Sequence, residues 1–191
     1  MPMESVPMRL AAIVLLLGLV PPVAAEDALW KRLGSEPNLV VLMRHTQPAG
    51  GDPVAWDRTG HCAGESMLTP EGKAHAARIG KAFAGHGVAP VVVSSPMCRC
   101  RDTASLAFGG VPEMDADLRE VATADPEQLA RFERTAQSMI VAHRGRTPLV
   151  LVSHRPNIDR LTMELVESGD LLVARATDKG ELELLGKITV P

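Results

Sequence analysis

Residues 38–46 decide the fold, and they read NLVVLMRHT. The middle of this stretch is short, apolar and rich in Val and Leu, which is typical of a strand buried on both faces of a sheet. Arg44 and His45 follow directly, so a cation and an imidazole stand where this strand ends. Residues 88–93 and 149–152 are two further apolar runs of the same kind, and polar residues follow each of them. The sequence therefore predicts a sheet of buried strands with its functional groups at the strand ends.

Helices are predicted between these strands. Residues 69–71 (Thr-Pro-Glu) and 125–127 (Asp-Pro-Glu) each combine an N-capping side chain, a first-turn proline and an acid, which is typical of a helix start. Because strands alternate with helices, we predict a single α/β domain with a mostly parallel, doubly wound sheet and helices on both faces. The remaining predicted elements are helices over 99–108 and 157–166, a short strand over 111–115, and a closing antiparallel hairpin over 171–176 and 181–188.

Composition narrows the class of protein. The chain has 191 residues, of which 46% are hydrophobic and 23% charged, values of an ordinary globular domain. The net charge of -3 provides no general field for nucleic acid, and an aromatic content of 3% provides few stacking platforms for bases. We therefore expect no nucleic-acid partner, and any anion site must be a local cluster. The sequence does not determine the oligomeric state.

Residues 1–25 have the pattern of a secretory signal peptide. Arg9 precedes an apolar run over residues 10–20, two prolines end that run, and small residues follow up to Ala25, which is the order of charge, apolar segment and cleavage site. Eleven residues span about 16 Å as a helix, which is short of a membrane core. We expect cleavage after Ala25, an exported domain over 26–191, and no stable membrane insertion after cleavage. A retained membrane anchor is the alternative interpretation.

Arginine and histidine side chains follow all three predicted buried strands: Arg44 and His45 the first, Arg99 the second and His154 the third. In a parallel sheet these strand ends meet at one edge, where such folds bind ligands. The set suits a phosphoryl group, because arginines bind its oxygens. A neutral imidazole can attack phosphorus when a backbone carbonyl holds its other nitrogen. We expect the second imidazole to be protonated, and no metal or cofactor to be required.

The motif over residues 42–46 resembles the Arg-His-Gly signature of the histidine phosphatase (phosphoglycerate-mutase-like) superfamily, branch 1. This resemblance implies that His45 is the nucleophile, that Arg44 and Arg99 bind phosphate, and that His154 is the second pocket histidine, with binding and catalytic roles. It also places Glu120 where many members carry the acid that protonates the leaving oxygen. Three more segments fit the family in the right order: LTPEG over 68–72, SSPMCRCRDTA over 94–104 and VSH over 152–154.

Two residues depart from the family pattern. Thr46 replaces the glycine after the nucleophile, which we expect to place a side chain at the pocket rim. Arg155 replaces the usual glycine after His154, and it either reaches a second anionic group of the substrate or points to solvent. Neither change removes a catalytic group, so the resemblance still implies an active phosphatase.

A narrower resemblance concerns the substrate. The signal peptide, the small size, the Trp56-Asp57-Arg58 stretch and the loop around Cys62 resemble small exported bacterial phosphatases, including those for lipopolysaccharide-core heptose phosphates. This resemblance implies a periplasmic location, a small-molecule or glycan phosphate ester as substrate, and Arg58 as a further binding candidate. The chain lacks the inserted segments that mutases use to retain a bisphosphate, so we expect hydrolysis.

The cysteines are Cys62, Cys98 and Cys100. An odd number in an exported protein suggests one disulfide and one thiol, whereas three small buried side chains are the alternative. Residues two apart bond each other only with strain, so Cys62 is the expected partner of one of the other two. The resemblance favours Cys98, because members of the family have a small buried residue at the position of Cys100.

Two other functions remain open at this stage. One is a zinc site built from His45, His154 and a cysteine, which two neighbouring arginines would repel. The other is a non-catalytic sensor of phosphate ligands, or an envelope interaction module, on the same fold.

Overall fold

The computed structural model of the protein describes residues 22–122 and 125–191. Most of the predicted signal peptide, residues 1–21, lies outside the described residues. The elements in chain order are α1 Pro22–Ser35, β1 Leu39–Arg44, α2 Pro70–Gly85, β2 Val91–Ser94, α3 Cys98–Phe108, β3 Glu113–Met114, a 3₁₀ turn Ala116–Leu118, α4 Pro126–Ala142, β4 Leu149–Ser153, α5 Arg155–Thr162, β5 Leu171–Ala176 and β6 Leu182–Ile188.

One six-stranded mixed sheet organises the domain, in the order β3-β2-β4-β1-β5-β6. The first four strands of this order are parallel to one another, and the closing hairpin β5–β6 is antiparallel. In the register of the three central strands, Arg44 lies opposite Ser153, and Ser94 lies opposite Val152. The ends of β1, β2 and β4 are therefore level, which brings the residues after them to one edge. The predicted α/β architecture is confirmed.

Alternate residues of the central strands pack into two apolar layers, one on each face of the sheet. Leu39, Val41 and Met43 of β1 face the layer covered by α1, α2 and α3. Val40 and Leu42 face the layer covered by α4 and α5. Burial on both faces explains why the strands read as continuous apolar runs in the sequence.

The predicted helix starts are present in the structure. Thr69 Oγ1 accepts a hydrogen bond from the Gly72 N–H at 2.9 Å, and Asp125 Oδ1 accepts one from the Gln128 N–H at 2.9 Å. Each bond satisfies one of the backbone donors that a helix leaves unpaired in its first turn. Prolines follow both caps, where their missing N–H costs nothing.

Three elements differ from the prediction. Helix α1 was not expected, because its beginning overlaps the signal pattern. Strand β2 begins at Val91 rather than at residue 88, since Pro90 has no N–H to pair. Helix α5 spans 155–162 rather than 157–166, because Met163 adopts a left-handed conformation with φ 60° and ends it.

Helix α1 belongs to the folded domain. Leu29, Trp30 and Leu33 are buried in the layer shared with α2 and α3, and the ring of Trp30 meets that of Phe83 edge-on at 4.9 Å. Across residues 22–122 and 125–191, no helix has both the length and the apolar character needed to cross a membrane.

Candidate active site

A cavity of about 270 Å³ lies at the edge of the sheet where β1, β2 and β4 end. The backbone ties these ends together: the His45 N–H donates to the Ser153 carbonyl at 3.0 Å, and the Ser95 N–H donates to the Val152 carbonyl at 2.9 Å. Five side chains on its wall were predicted from the sequence: Arg44, His45, Arg99, Glu120 and Arg155. The loop after β1 supplies most of the opposite wall with residues 48–51, Pro53 and Ser66.

His45 is held in the form that a nucleophile requires. Its Nδ1 lies 2.9 Å from the carbonyl oxygen of Thr46, which can only accept, so Nδ1 carries the proton and Nε2 has a free lone pair. Burial, followed by the influence of His154, lowers the pKa of His45 well below its usual value. The imidazole is therefore neutral, and its Nε2 accepts a hydrogen bond from the Arg99 Nε–H at 3.3 Å.

Arg99 is the centre of the site, and the residue as a whole is 1% exposed. Its Nη2 donates to Glu120 Oε2 at 2.5 Å and to the Pro53 carbonyl at 2.6 Å. Its Nη1 is buried and has no partner among the described residues, and the same holds for Nε of Arg44. Buried donors are nearly always paired in folded proteins, so these two N–H groups indicate where an anion would bind.

Arg44 is held in place by the segment that follows α5. Its Nη1 donates to the Val166 carbonyl at 3.0 Å and lies 3.7 Å from the carboxylate of Glu167. Burial lowers the pKa of Arg44, although Glu167 opposes this change, and an arginine still remains protonated. The guanidinium is thus a fixed cation on the cavity wall.

His154 is buried completely, between Ser95 and Glu120. Its Nε2 lies 2.8 Å from Ser95 Oγ, and its Nδ1 lies 3.2 Å from Glu120 Oε2. Burial lowers the pKa of His154 to about 4, and the hydrogen bond with Glu120 only partly opposes this change. The prediction that His154 is protonated is wrong for the unliganded site, because desolvation of the ring outweighs the attraction of one carboxylate.

Glu120 lies between these groups as a carboxylate. Burial raises the pKa of Glu120, but the hydrogen bond with His154 and the positive charge of Arg99 lower it by a larger amount, so the net shift is downward. In the unliganded site, Glu120 is therefore ionised and paired with Arg99. A general acid needs a proton, so this residue can act as one only after a ligand has changed its surroundings.

His45, Glu120 and His154 offer ligand atoms within 4.8 Å of one another, a spacing that could hold a metal ion. However, Arg99 Nε lies 3.3 Å from His45 Nε2. Arg99 Nη2 lies 2.5 Å from Glu120 Oε2 and 3.0 Å from His154 Nδ1. A guanidinium therefore occupies the middle of the cluster. Cys100 Sγ lies 3.5 Å from His154 Nε2, but burial raises the pKa of that thiol. A protonated thiol and a central cation do not form a zinc site.

Three predicted binding residues do not line the cavity. His154 contacts the cavity-lining residues Arg99 and Glu120 but is not itself on the wall. Thr46 is buried rather than at the rim, because its backbone N–H and its hydroxyl both bond to Thr103 Oγ1 of α3, at 3.2 Å each. Arg58 is exposed, and its guanidinium stacks 5.4 Å from the ring centre of Trp56. Arg155 does line the cavity, at the first position of α5.

A disulfide joins Cys62 to Cys98, the pairing that the sequence analysis favoured, with the Cα atoms 5.9 Å apart. Cys100 is free and buried. The bridge attaches the loop after β1 to the first residue of α3, directly beside Arg99.

Glu65 is a residue that the sequence analysis missed. Its buried carboxylate accepts the Cys98 N–H at 2.7 Å and the Asp57 N–H at 2.8 Å. Because Met97 makes no side-chain bond as the N-cap of α3, Glu65 caps this helix from the loop. No local pattern marks such a long-range cap.

Asn157 and Gln128 were also missed, and they hold the segment that carries Glu120. Asn157 Oδ1 accepts the Val121 N–H at 3.0 Å, and its Nδ2 donates to the Arg119 carbonyl at 3.1 Å. Gln128 Nε2 donates to the carbonyl of Glu120 at 2.8 Å. Asn157 is fully buried in a helix, and a polar residue on the apolar face of a predicted helix is the signal that could have revealed it.

Comparison with known families decides the class of this site. Residues 40–138, more than half of the chain, match the model of the histidine phosphatase superfamily (branch 1). The chain belongs to this superfamily. As a histidine phosphatase it is an enzyme of the phosphatase type, as the sequence analysis predicted. A search of curated proteins found no match.

Solved structures share the fold of this histidine phosphatase. TTHB049 from Thermus thermophilus is 22% identical, with a TM-score of 0.58 over 79% of this chain and 99% of that chain. Phosphoglycerate mutase from the same organism is 24% identical, with a TM-score of 0.55 over 80% and 99%. The protein histidine phosphatase SixA complexed with tungstate is 16% identical, with a TM-score of 0.54 over 79% and 96%. At these identities the likeness establishes the fold alone.

Proposed function

We propose that this histidine phosphatase is an exported phosphomonoesterase that transfers the phosphoryl group of its substrate to Nε2 of His45. The observation that carries this proposal is the state of His45: Nδ1 donates to the Thr46 carbonyl, so Nε2 is unprotonated, and its lone pair accepts the Arg99 Nε–H until a phosphoryl group takes over the hydrogens of that arginine. Both arginines have a buried N–H without a partner among the described residues. The site therefore combines a nucleophile with donors for the phosphoryl oxygens.

In the first step, the phosphate of the ester replaces the Glu120 carboxylate beside Arg99. Arg44 and Arg99 donate to the phosphoryl oxygens, and Nε2 of His45 attacks phosphorus in line with the ester oxygen. The P–N bond forms as the P–O bond to the leaving group breaks. The leaving oxygen takes a proton from Glu120, and the alcohol departs.

In the second step, water attacks the phosphorus of phosphohistidine. Glu120, now a carboxylate, removes a proton from that water, and the P–N bond breaks with its electron pair returning to Nε2. Inorganic phosphate leaves, and His45 is again neutral. Glu120 thus acts first as an acid and then as a base, as the two half-reactions require.

Ligand binding explains how a carboxylate with a lowered pKa becomes an acid. The pKa of Glu120 is lowered by its contacts with His154 and Arg99. A bound phosphate takes over the hydrogens of Arg99 and places its own negative charge beside Glu120, and both changes raise the pKa of that carboxyl. Glu120 then takes up a proton from solvent, and it gives this proton to the leaving oxygen.

The cavity is large enough for a small polar substrate or for the terminal phosphate of a larger substrate. Its volume of about 270 Å³ is near the lower end of the range for ligand sites. Arg155, exposed at the mouth, can reach a second anionic group beyond the phosphate. The substrate that we propose is an envelope sugar phosphate, such as a phosphorylated heptose of the lipopolysaccharide core.

Export is supported by the disulfide between Cys62 and Cys98, since structural disulfides persist mainly in oxidising compartments. A periplasmic location would also give the enzyme access to envelope glycans.

The mechanism is tested by trapping the phosphoenzyme. Residues 26–191 are mixed briefly with a radiolabelled phosphate ester and quenched in alkaline denaturant, because the P–N bond of phosphohistidine hydrolyses in acid. We expect label on the wild type and on His61→Ala, an exposed histidine of the loop, and none on His45→Ala, whose turnover is lost while its fold is retained. His45→Ala with a near wild-type rate would refute the mechanism. A wild type that binds phosphate but shows neither label nor turnover would instead indicate the sensor function.

The substrate is tested by comparing kcat/KM for diverse phosphomonoesters, phosphorylated heptose among them. We expect esters with a second anionic group to be preferred, and Arg155→Gln to remove that preference while leaving a simple aryl phosphate unaffected. An enzyme that prefers uncharged alcohols would refute the role of Arg155.

A further inference from the structure

We propose that Ser95 is a positioning residue that holds His154 as a neutral imidazole with its proton on Nδ1, the nitrogen that faces the phosphate site. The effect of Ser95 on rate rests on the proposed function, whereas the position of the proton can be measured in the unliganded protein.

The hydrogens of Arg99 locate this proton. Its terminal nitrogen Nη2 carries two hydrogens, and its oxygen neighbours are the Pro53 carbonyl at 2.6 Å and Glu120 Oε2 at 2.5 Å. A carbonyl and an ionised carboxylate can only accept, so these two oxygens take both hydrogens. None is left for His154 Nδ1, although it lies only 3.0 Å from Nη2.

The neighbour that decides the tautomer of His154 is Glu120. Nδ1 lies 3.2 Å from Glu120 Oε2. A bare Nδ1 would set its lone pair against this carboxylate inside a buried site, which is costly. A protonated Nδ1 donates to the carboxylate instead. The lone pair of the neutral ring is then on Nε2, which requires a donor.

Ser95 supplies that donor. Its buried Oγ lies 2.8 Å from His154 Nε2 and accepts the Met97 N–H at 3.3 Å, which leaves the hydroxyl hydrogen free for Nε2. Cys100 Sγ is a second neighbour of Nε2 at 3.5 Å, but it lies equally close, at 3.5 Å, to the Ser153 carbonyl. Since a carbonyl is the usual acceptor for a thiol donor, the serine hydroxyl is the better partner for the ring.

This arrangement prepares His154 for the reaction. When phosphate replaces the Glu120 carboxylate, the Nδ1–H already points at a phosphoryl oxygen. The ring can then stabilise the transferring phosphoryl group without first gaining a proton. This agrees with the burial of His154, because burial disfavours the protonated ring. Without Ser95, the proton can move to Nε2, and a lone pair would then face the phosphate.

The first experiment measures the tautomer in the unliganded protein by long-range proton–nitrogen NMR on nitrogen-15 histidine. The chain has six histidines, and comparison with His154→Gln assigns the signals of His154. We expect a pyrrole-like Nδ1 and a pyridine-like Nε2 near neutral pH. The opposite pattern in the wild type would overturn the proposal, whatever the activity of the enzyme.

The second experiment compares variants. Ser95→Ala is expected to shift the proton toward Nε2 and to lower kcat about 10- to 100-fold, the usual effect of losing a residue that orients an imidazole. Ser95→Thr keeps the hydroxyl and is expected to retain the wild-type tautomer. Ser94→Ala is the matched control, because the Ser94 hydroxyl bonds to the carbonyl of Ser95 instead. Cys100→Ala tests the thiol and is expected to leave the tautomer unchanged.

The outcomes separate the possible failures. A Ser95→Ala protein with the wild-type tautomer and rate would overturn the proposal, and so would a tautomer change in Cys100→Ala alone. If Ser95→Ala does not fold, the wild-type spectrum still tests whether the proton of His154 is on Nδ1. If no phosphatase activity is found at all, the proposed function fails, but the tautomer result stands independently.

Discussion

Arg99 and Glu120 form a buried ion pair at the point where the substrate phosphate is expected to bind. Their atoms lie 2.5 Å apart, and the side chains are 2% and 13% exposed. Removing one partner of a buried pair leaves the other charge uncompensated, which usually costs more than the pair contributes. The carboxylate therefore keeps the guanidinium in place until an anionic ligand replaces it.

Replacement of Glu120 by Gln should reveal its role in proton transfer. We expect the rate for an alkyl phosphate to fall about 10²- to 10⁴-fold, and the rate for a nitrophenyl phosphate much less, because only the poor leaving group needs a proton. The measurement is kcat/KM for both esters, with Glu113→Gln on the exposed strand β3 as the control. Equal losses on the two esters would show that Glu120 is not the proton donor.

The buried histidines predict how stability depends on pH. In the unfolded chain, a histidine has a pKa near 6.5, whereas the pKa of His154 in the fold is about 4. Between these values the unfolded state binds more protons, so the free energy of unfolding decreases as the pH falls from 6.5 to 4. His45, whose pKa is also lowered, adds to this decrease. One histidine contributes at most on the order of 3 kcal/mol.

Urea unfolding at a series of pH values checks this prediction. We expect His154→Gln to have a flatter dependence than the wild type across this interval, whereas His61→Gln, in the exposed part of the loop, should follow the wild type. An unchanged slope in His154→Gln would show that the fold does not lower the pKa of this ring.

At the scale of elements, the loop after β1 and the start of α3 behave as one unit. The disulfide and the Glu65 carboxylate both join the loop to Cys98, and the Pro53 carbonyl of the same loop accepts from Arg99. The loop is therefore attached to the start of α3 at several points around Arg99. This organisation explains how a segment without helix or strand can form one wall of the site.

Removal of the disulfide should destabilise the domain and loosen the site. The bridge spans 36 residues, for which chain entropy predicts about 3–4 kcal/mol of stabilisation. We expect Cys62→Ala/Cys98→Ala to lose about this amount in urea unfolding and to raise KM, since the loop wall is less well ordered.

Two controls accompany this experiment. Cys100→Ala keeps the bridge and should remain sensitive to a reductant, whereas the double variant should be insensitive. A wild type whose stability does not change on reduction would contradict the prediction.

At the scale of the whole molecule, the proposed export requires that cleavage of the predicted signal peptide leave the folded domain intact. Leu29, Trp30 and Leu33 are the residues of α1 in the apolar core, among those of residues 25–35 whose burial is described, and cleavage after Ala25 would retain all three. Glu26, which would be the first residue after this cleavage, accepts the Thr189 N–H at 3.3 Å through its side chain.

We expect protein isolated from the periplasm to begin at Glu26 on N-terminal sequencing and to contain the disulfide. Ala25→Leu should block processing, because signal peptidase requires a small residue before the cut. Ala28→Leu, an exposed position three residues later, should be processed normally. Full-length wild-type protein in the membrane fraction would indicate a retained anchor.

The sequence by itself determined the sheet and the residues at its edge. Continuous apolar runs mark strands buried on both faces, and the groups that follow such strands meet because parallel strands point the same way. Arg44, His45, Arg99 and His154 could therefore be assigned to one site from the order of strands and polar residues along the chain. The capped helix starts at Thr69 and Asp125 were equally local, since each of these two caps involves residues three positions apart.

Only the tertiary structure decided what surrounds those residues. The charge of His154 depends on the depth of its burial, and the burial of Thr46 depends on a partner 57 residues away, Thr103. The roles of Glu65, Ser95 and Asn157 likewise rest on hydrogen bonds between segments that are distant in the chain. A sequence pattern records local propensity and periodicity, whereas desolvation and long-range hydrogen bonding depend on which segments the fold brings together.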